Sequence, residues 1–199
     1  MQTTNFFRFL GISLITLFFS FNLNAQTYPN KPITVIVPFS AGSASDVVTR
    51  VLLEKVSSNT NTRFIFDNRP AAGGNVGTAA VVKAEPDGYT IGLSTSGPLA
   101  VNKILNPDLG YDPERDLQPI ALFAILPNII VVSSTLNINN LSQLNDYIRK
   151  TPDVGYGSVG NGSSQHLAGA YYEQLLGAKM THVPYRVTAN MVTDLVAGR

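Results

Sequence analysis

Residues 33–38, Ile-Thr-Val-Ile-Val-Pro, form a short apolar run rich in β-branched side chains, the pattern of a buried strand. A loop of small residues follows at 39–45. From 46 to 56 the apolar positions switch to helical spacing, with Val47, Val48, Val51, Leu52 and Val56 on one broad face. The cycle repeats twice. Residues 64–66 predict a second strand, 71–75 a second small-residue loop and 76–84 a second helix. Pro86-Asp87-Gly88 is turn chemistry, and 89–94 predict a third strand. Strand, loop and helix in this order imply parallel sheets with crossover helices.

The segment 107–119 holds three prolines and four acidic residues and reads as surface. Beyond it, 120–125 and 129–133 are apolar runs split by Pro127-Asn128, read as the crossing into a second lobe. That lobe continues with a helix at 141–150 capped by Asn140, a strand at 154–158 and a third small-residue loop at 159–164. A helix at 165–176 ending on Gly177, a strand at 180–184 and a last helix at 189–197 complete it. The chain then stops at Gly198-Arg199, where a βα pattern ordinarily continues into another strand. The expectation is an α/β architecture of parallel-rich sheets flanked by helices, incomplete at the C-terminus, with lobes at 26–127 and 128–199.

Composition narrows the chemistry. The 199 residues include no Cys, which excludes a disulfide scaffold, a thiolate metal site and a cysteine nucleophile. Charged residues make up 14%, and the net charge is +1 without a basic run, so the footprint of nucleic-acid binding is missing. The first 25 residues carry a single charge, Arg8, then a mostly apolar run at 9–21 and a cleavage-like Leu23-Asn24-Ala25. That layout predicts a cleavable signal peptide and a periplasmic product; the run is short for a membrane anchor.

Two loops share a design. Phe39-Ser40-Ala41-Gly42-Ser43-Ala44-Ser45-Asp46 follows a strand and opens a helix, as does Ser158-Val159-Gly160-Asn161-Gly162-Ser163-Ser164 ahead of His166. Small residues let the backbone approach a ligand, and the free N–H groups of a helix start carry partial positive charge that suits a carboxylate, sulfate or phosphate. Helix capping alone is the competing reading: Ser43 and Asp46 have capping-box spacing, and Ser163 suits an N-cap. The occurrence of one such loop per lobe favours a ligand.

Enzyme signatures fail. The chain has no G-x-S-x-G, no P-loop and no H-E-x-x-H, and its glycines at 157, 160 and 162 are wrongly spaced for a dinucleotide fingerprint. A Ser163–His166 hydrolase would need an acid that no motif supplies. His182 alternates with Thr181 and Val183 in a strand and reads as structural. Asp67 and Arg69 read as turn-fixing residues, and Arg186 as a loop cation. No catalytic residue, metal site or cofactor is expected.

The series Tyr28-Pro29-Asn30-Lys31-Pro32-Ile33, Val37-Pro38-Phe39, Asp67-Asn68-Arg69-Pro70 with Ala72-Gly73-Gly74-Asn75-Val76-Gly77, and Pro86-Asp87-Gly88-Tyr89-Thr90 is matched further on by others. These are Tyr111-Asp112-Pro113, Tyr156-Gly157-Ser158, Gly160-Asn161-Gly162-Ser163 with Gln165-His166-Leu167-Ala168-Gly169, and His182-Val183-Pro184-Tyr185. Together they resemble the solute receptors of tripartite tricarboxylate transporters, the TctC or Bug receptors. The resemblance implies a two-lobed periplasmic binding protein of type II-like build that closes on a small carboxylate and hands it to membrane transporter subunits. A sensor kinase is an alternative partner. It implies ligand contacts from Phe39, Ala41, Gly42, Ser43, Ala44 and Asp46 in the first loop, and from Ser158, Gly160, Asn161, Gly162, Ser163 and His166 in the second. Gly73, Gly74, Asn75, Ser94 and Thr95 would line the first-lobe side. One departure stands out: the family usually has paired glycines where this chain has Gly42-Ser43. The family also runs further than Arg199, so a chain ending there is expected to fold poorly or not to bind.

Overall fold

The computed structural model describes residues 28–199, and the expected signal peptide at 1–25 lies outside them. Lys31–Arg199 forms one unit built around two small parallel sheets. The first has the strand order β2-β1-β3, with β1 (Ile33–Val37) paired in parallel to β2 (Phe64–Asn68) and to β3 (Thr90–Gly92). The second pairs β4 (Gly155–Ser158) in parallel with β5 (Thr181–Pro184). Parallel neighbours require crossovers. Helix α1 (Ala44–Thr60) links β1 to β2, α2 (Asn75–Val82) links β2 to β3, and α6 (Ser164–Leu176) links β4 to β5. The remaining helices are α3 (Asn102–Leu105), α4 (Pro113–Asp116), α5 (Leu141–Lys150) and α7 (Thr188–Val196).

β1 is the buried strand its composition predicts. Val35 and Val37 are almost wholly enclosed and pack with Phe39 and Leu93, against Leu53, Phe64, Phe66 and Ile91. Val159, from the loop after β4, also reaches this cluster and so ties the second sheet to the first. The second core gathers Leu144 and Ile148 of α5 with Leu176 of α6, against Val154, Tyr172 and Met180.

Capping is as the sequence implies. Asn140 Oδ1 accepts from the Gln143 amide at 3.0 Å, and Gly177 ends α6 at φ 65°. Replacing Asn140 with Ala is expected to remove about 1 kcal/mol of stability. Urea denaturation should show a lower midpoint with an unchanged slope.

The structure departs from the sequence pattern in three places. The apolar face read on α1 is only partly buried: Val47, Val51 and Leu52 are exposed, Val48 and Val56 are half-buried, and the helix sits on the sheet through Asp46, Thr49 and Leu53. The apolar runs at 120–125 and 129–133 form no helix or strand, and Ile120, Leu122 and Ile125 are 81%, 83% and 84% exposed. A helical stretch through Gly97–Val101 into α3 has no counterpart in the sequence reading; Pro98 is tolerated in its first turn.

Candidate functional site

The loops after β1 and β4 are built alike, bond for bond. Ser43 and Ser163 are the N-caps of α1 and α6, each at φ −66° and ψ 158°. Each seryl oxygen accepts an amide three residues on, from Asp46 and from His166, both at 3.3 Å. Each seryl N–H donates three residues back, to the carbonyls of Ser40 at 3.1 Å and Gly160 at 3.2 Å. The glycine before each cap is left-handed, Gly42 at φ 77° and Gly162 at φ 75°. The amide of that glycine donates to the side chain four residues on: Gly42 N–H to Asp46 Oδ2 at 2.9 Å, and Gly162 N–H to His166 Nδ1 at 3.1 Å. The motif is therefore Gly-Ser-x-x-acceptor, used twice.

Of the two readings of these loops, capping is the one this geometry displays. The serines do cap the helices, and Ser43 turns its oxygen onto the Asp46 amide. Asp46 and His166 hold the glycine amides.

In the first loop the acceptor is a carboxylate in a full set of bonds. Asp46 is buried, at 2% exposure. Its Oδ2 also takes Arg50 Nε at 2.9 Å, and its Oδ1 takes Asn68 Nδ2 at 2.9 Å. Asn68 donates a second time to the Phe39 carbonyl at 3.0 Å and accepts from the Arg50 guanidinium at 3.0 Å. Burial pushes the Asp46 carboxyl up, but the bonds from Arg50, Asn68 and Gly42, with the Arg50 charge, outweigh it and leave the pKa lowered. Asn68 carries no motif signal that marks this role; its two donors and one acceptor join loop, strand and helix.

In the second loop the acceptor is an imidazole. His166 stacks on His182, with ring centroids 4.2 Å apart. His182 Nε2 lies 2.6 Å from Ser158 Oγ. Ser158 is fully buried, and its oxygen also takes the Gly160 amide at 3.0 Å. Burial first, then the neighbouring His166, holds the His182 pKa below its ordinary value. Ser163 meets His166 only through the backbone amide, so the Ser163–His166 hydrolase arrangement is not formed.

The glycine turn at 72–74 and the segment from Gly97 bring the two halves together. A Cβ on Gly73 would strike the Asn161 carbonyl oxygen, and one on Gly160 would lie 2.6 Å from the Gly73 nitrogen. A Cβ on Gly97 would lie 2.8 Å from the Gly162 carbonyl oxygen. A Cβ on Gly162 would land on the Asn102 side chain, which donates to Asn75 Oδ1 at 2.5 Å. Gly74 in turn backs onto Phe39, so the first loop, the glycine turn and the second loop are contiguous. Asn102, buried at this seam, has no motif that would reveal it.

The other candidates fall around the same seam. Phe39 puts its ring into the core, Ala41, Gly42 and Ala44 are exposed on the first loop, and Asn161 is exposed on the second. Asn75 Oδ1 is occupied by Asn102 and by Tyr111 at 3.3 Å. Ser94 pairs with Thr78 at 3.1 Å, and the Thr95 carbonyl accepts the Leu99 amide at 3.1 Å. Arg69 pairs with Asp67 at 2.7 Å, the turn-fixing role read for both. Arg186 donates to the Pro70 carbonyl at 2.9 Å, and Ser40 meets Thr188 at 3.3 Å, two further ties between the halves. Among the described residues no group of His, Asp and Glu could hold a metal ion.

Two parallel-sheet halves meeting at paired, capped helix starts define the class of two-lobed substrate-binding receptors. The chain belongs to the tripartite tricarboxylate transporter receptor family, whose description matches residues 48–199. It is 37% identical over 175 residues to the protein of the tcbD-tcbE intergenic region of a Pseudomonas species, covering 87% of this chain and 52% of that one. To protein BugT of Bordetella pertussis it is 33% identical, over 100% of this chain and 61% of that one. The chain thus spans little more than half the length of these relatives. Among solved structures, an R. palustris protein with adipate matches at TM-score 0.82 and 33% identity, covering 86% of this chain and 58% of that one. MatC from Rhodopseudomonas palustris with bound malate matches at TM-score 0.79 and 27% identity, with coverage of 86% and 58%. The periplasmic binding protein BugD matches at TM-score 0.72 and 30% identity, covering 85% of this chain and 57% of that one.

Proposed function

We propose that this chain carries the gripping loops of an extracytoplasmic receptor that binds a small carboxylate between two lobes and delivers it to a tripartite tricarboxylate-type membrane transporter. The observation that carries this reading is the duplicated Gly-Ser-x-x-acceptor loop, with both copies meeting the same glycine seam. Helix starts suit anions, and a charge taken out of water needs many donors. Relatives of the same fold solved with adipate and malate support a carboxylate as the ligand. The lobes would run from 26 to 127 and from 128 to 199. Asn128, whose Oδ1 accepts from Ser164 at 3.2 Å, would mark the start of the second. Residues 1–25 would serve as the cleaved export signal. Cleft closure on the ligand would give the transporter two states to distinguish.

The test is a thermal-shift screen against mono-, di- and tricarboxylates, with amines as controls, on the chain extended by any natural sequence that follows Arg199. A ligand that binds only the folded form raises the melting midpoint by mass action, by about 2.7 kcal/mol of stability at a hundredfold excess over Kd. The expected result is a saturable rise with one acid class. A cooperative melt that no carboxylate moves would overturn the assignment.

A further inference from the structure

We propose that His166 is a positioning residue whose neutral form holds the second loop, so that acidification loosens this loop and leaves its twin around Asp46 intact. The inference rests on the receptor reading only for its effect on ligand affinity; the loop geometry stands without it.

Gly162 N–H donates to His166 Nδ1 at 3.1 Å. A ring nitrogen accepts only while it carries no proton, so this bond fixes the tautomer with its hydrogen on Nε2. Imidazole is the side chain that ordinarily exchanges its charge between pH 5 and 8. A proton on Nδ1 would set two N–H groups against each other and release Gly162. Gly162 cannot drift freely, because it is wedged against Asn102 and against Gly97. The first loop solves the same problem with Asp46, whose carboxylate keeps accepting throughout this range because its pKa is lowered. The pair of loops therefore contains its own control: one backbone, one titrating acceptor and one that does not titrate.

Four elements face or carry the His166 ring. From β5, His182 stacks on His166. From β4, Tyr156 lies against His182 at 5.1 Å and points its hydroxyl at the His166 carbonyl at 3.5 Å. Along α6 the nearest carboxylate in sequence is Glu173, two turns on and paired with Lys179 at 3.4 Å. The facing segment supplies Asn102 and Gly97, both uncharged. Among the described residues no carboxylate bonds to either ring.

The experiment has two readouts on the full chain. Nitrogen-15 NMR without ligand follows the imidazole nitrogens of both histidines and the amides of Gly162 and Gly42 from pH 8 to 5. The Gly162 amide should move with the His166 midpoint while the Gly42 amide stays still. A Gly162 amide that does not respond as His166 titrates, or a His166 that stays neutral down to pH 5, overturns the proposal. Calorimetric titration with malate is the second readout. Once His166 titrates, affinity should fall by about tenfold per pH unit, the slope expected when only the deprotonated fraction is competent. His166→Asn supplies an acceptor that cannot titrate between pH 8 and 5 and should flatten that profile, whatever affinity it sets. His166→Ala should bind weakly at every pH. An affinity that rises on acidification, or a slope that survives His166→Asn, also overturns the proposal. Should malate not bind at all, the carboxylate reading is what fails for that acid, and the amide titration still decides the role of His166.

Discussion

Gly162→Ala is expected to abolish carboxylate binding and destabilise the second half, whereas Gly42→Ala is expected to do far less. The two glycines have nearly the same left-handed backbone, so an added Cβ costs each about 1–2 kcal/mol of conformational strain. Their surroundings differ. Nothing lies within 4 Å of a Cβ on Gly42, but a Cβ on Gly162 would occupy the place of the Asn102 side chain. Asn102 cannot swing away cheaply, since it is buried and bonded to Asn75. Overpacking of this kind adds about 1–3 kcal/mol. The total for Gly162→Ala is then about 2–5 kcal/mol, read by urea denaturation and by calorimetric titration with a dicarboxylate. Equal effects from the two variants would show that backbone strain alone matters and that the Asn102 contact does not.

Asp46→Ala should be the most damaging change in the first loop, at about 3 kcal/mol of folding stability, because a buried hydrogen-bonded charge is removed from its partners. The Gly42 amide, the Asn68 amide and the Arg50 guanidinium lose one acceptor group together. Arg50, 43% exposed in its side chain, and the exposed Gly42 recover part of the loss in water; Asn68 carries most of it. The pH dependence follows from the lowered pKa. The ionised Asp46 contributes its full stability above the unfolded carboxylate value, about 3.9, and loses it as pH falls through the lower folded value. Wild type should therefore lose stability on acidification below about pH 4 through this group. Asp46→Ala should lack that component of the slope in denaturant melts taken between pH 5 and 2. An unchanged acid slope would remove Asp46 from the account.

Much of the architecture is legible from short-range signals. The β-branched run at 33–37, the cap at Asn140 and the stop at Gly177 act within a few residues, and the structure places all three as read. The two loops are legible for the same reason: Gly-Ser followed by an acceptor four residues after the glycine is a local device. Asn68 and Asn102 are not, because their partners Asp46 and Asn75 are 22 and 27 residues away and no spacing rule links them. The valine face of α1 misleads for a different reason. Periodicity reports which side of a helix is apolar, but burial depends on a neighbour, and Val47, Val51 and Leu52 of that side stay exposed. The same holds for the exposed apolar runs after Pro119. His166 was legible as a candidate but not in its role, since ring stacking on His182 and acceptance from Gly162 exist only in three dimensions.

The central claim is that the two twin loops grip one anion together. Amide NMR of the nitrogen-15-labelled chain, titrated with malate and then adipate, tests it most directly. The account expects the amides of residues 42–46 and 160–164 to shift as one set, with a single saturation curve, and the Gly73 and Gly74 amides to follow them. Saturable shifts confined to one loop, or gathered on a surface away from both, would contradict it.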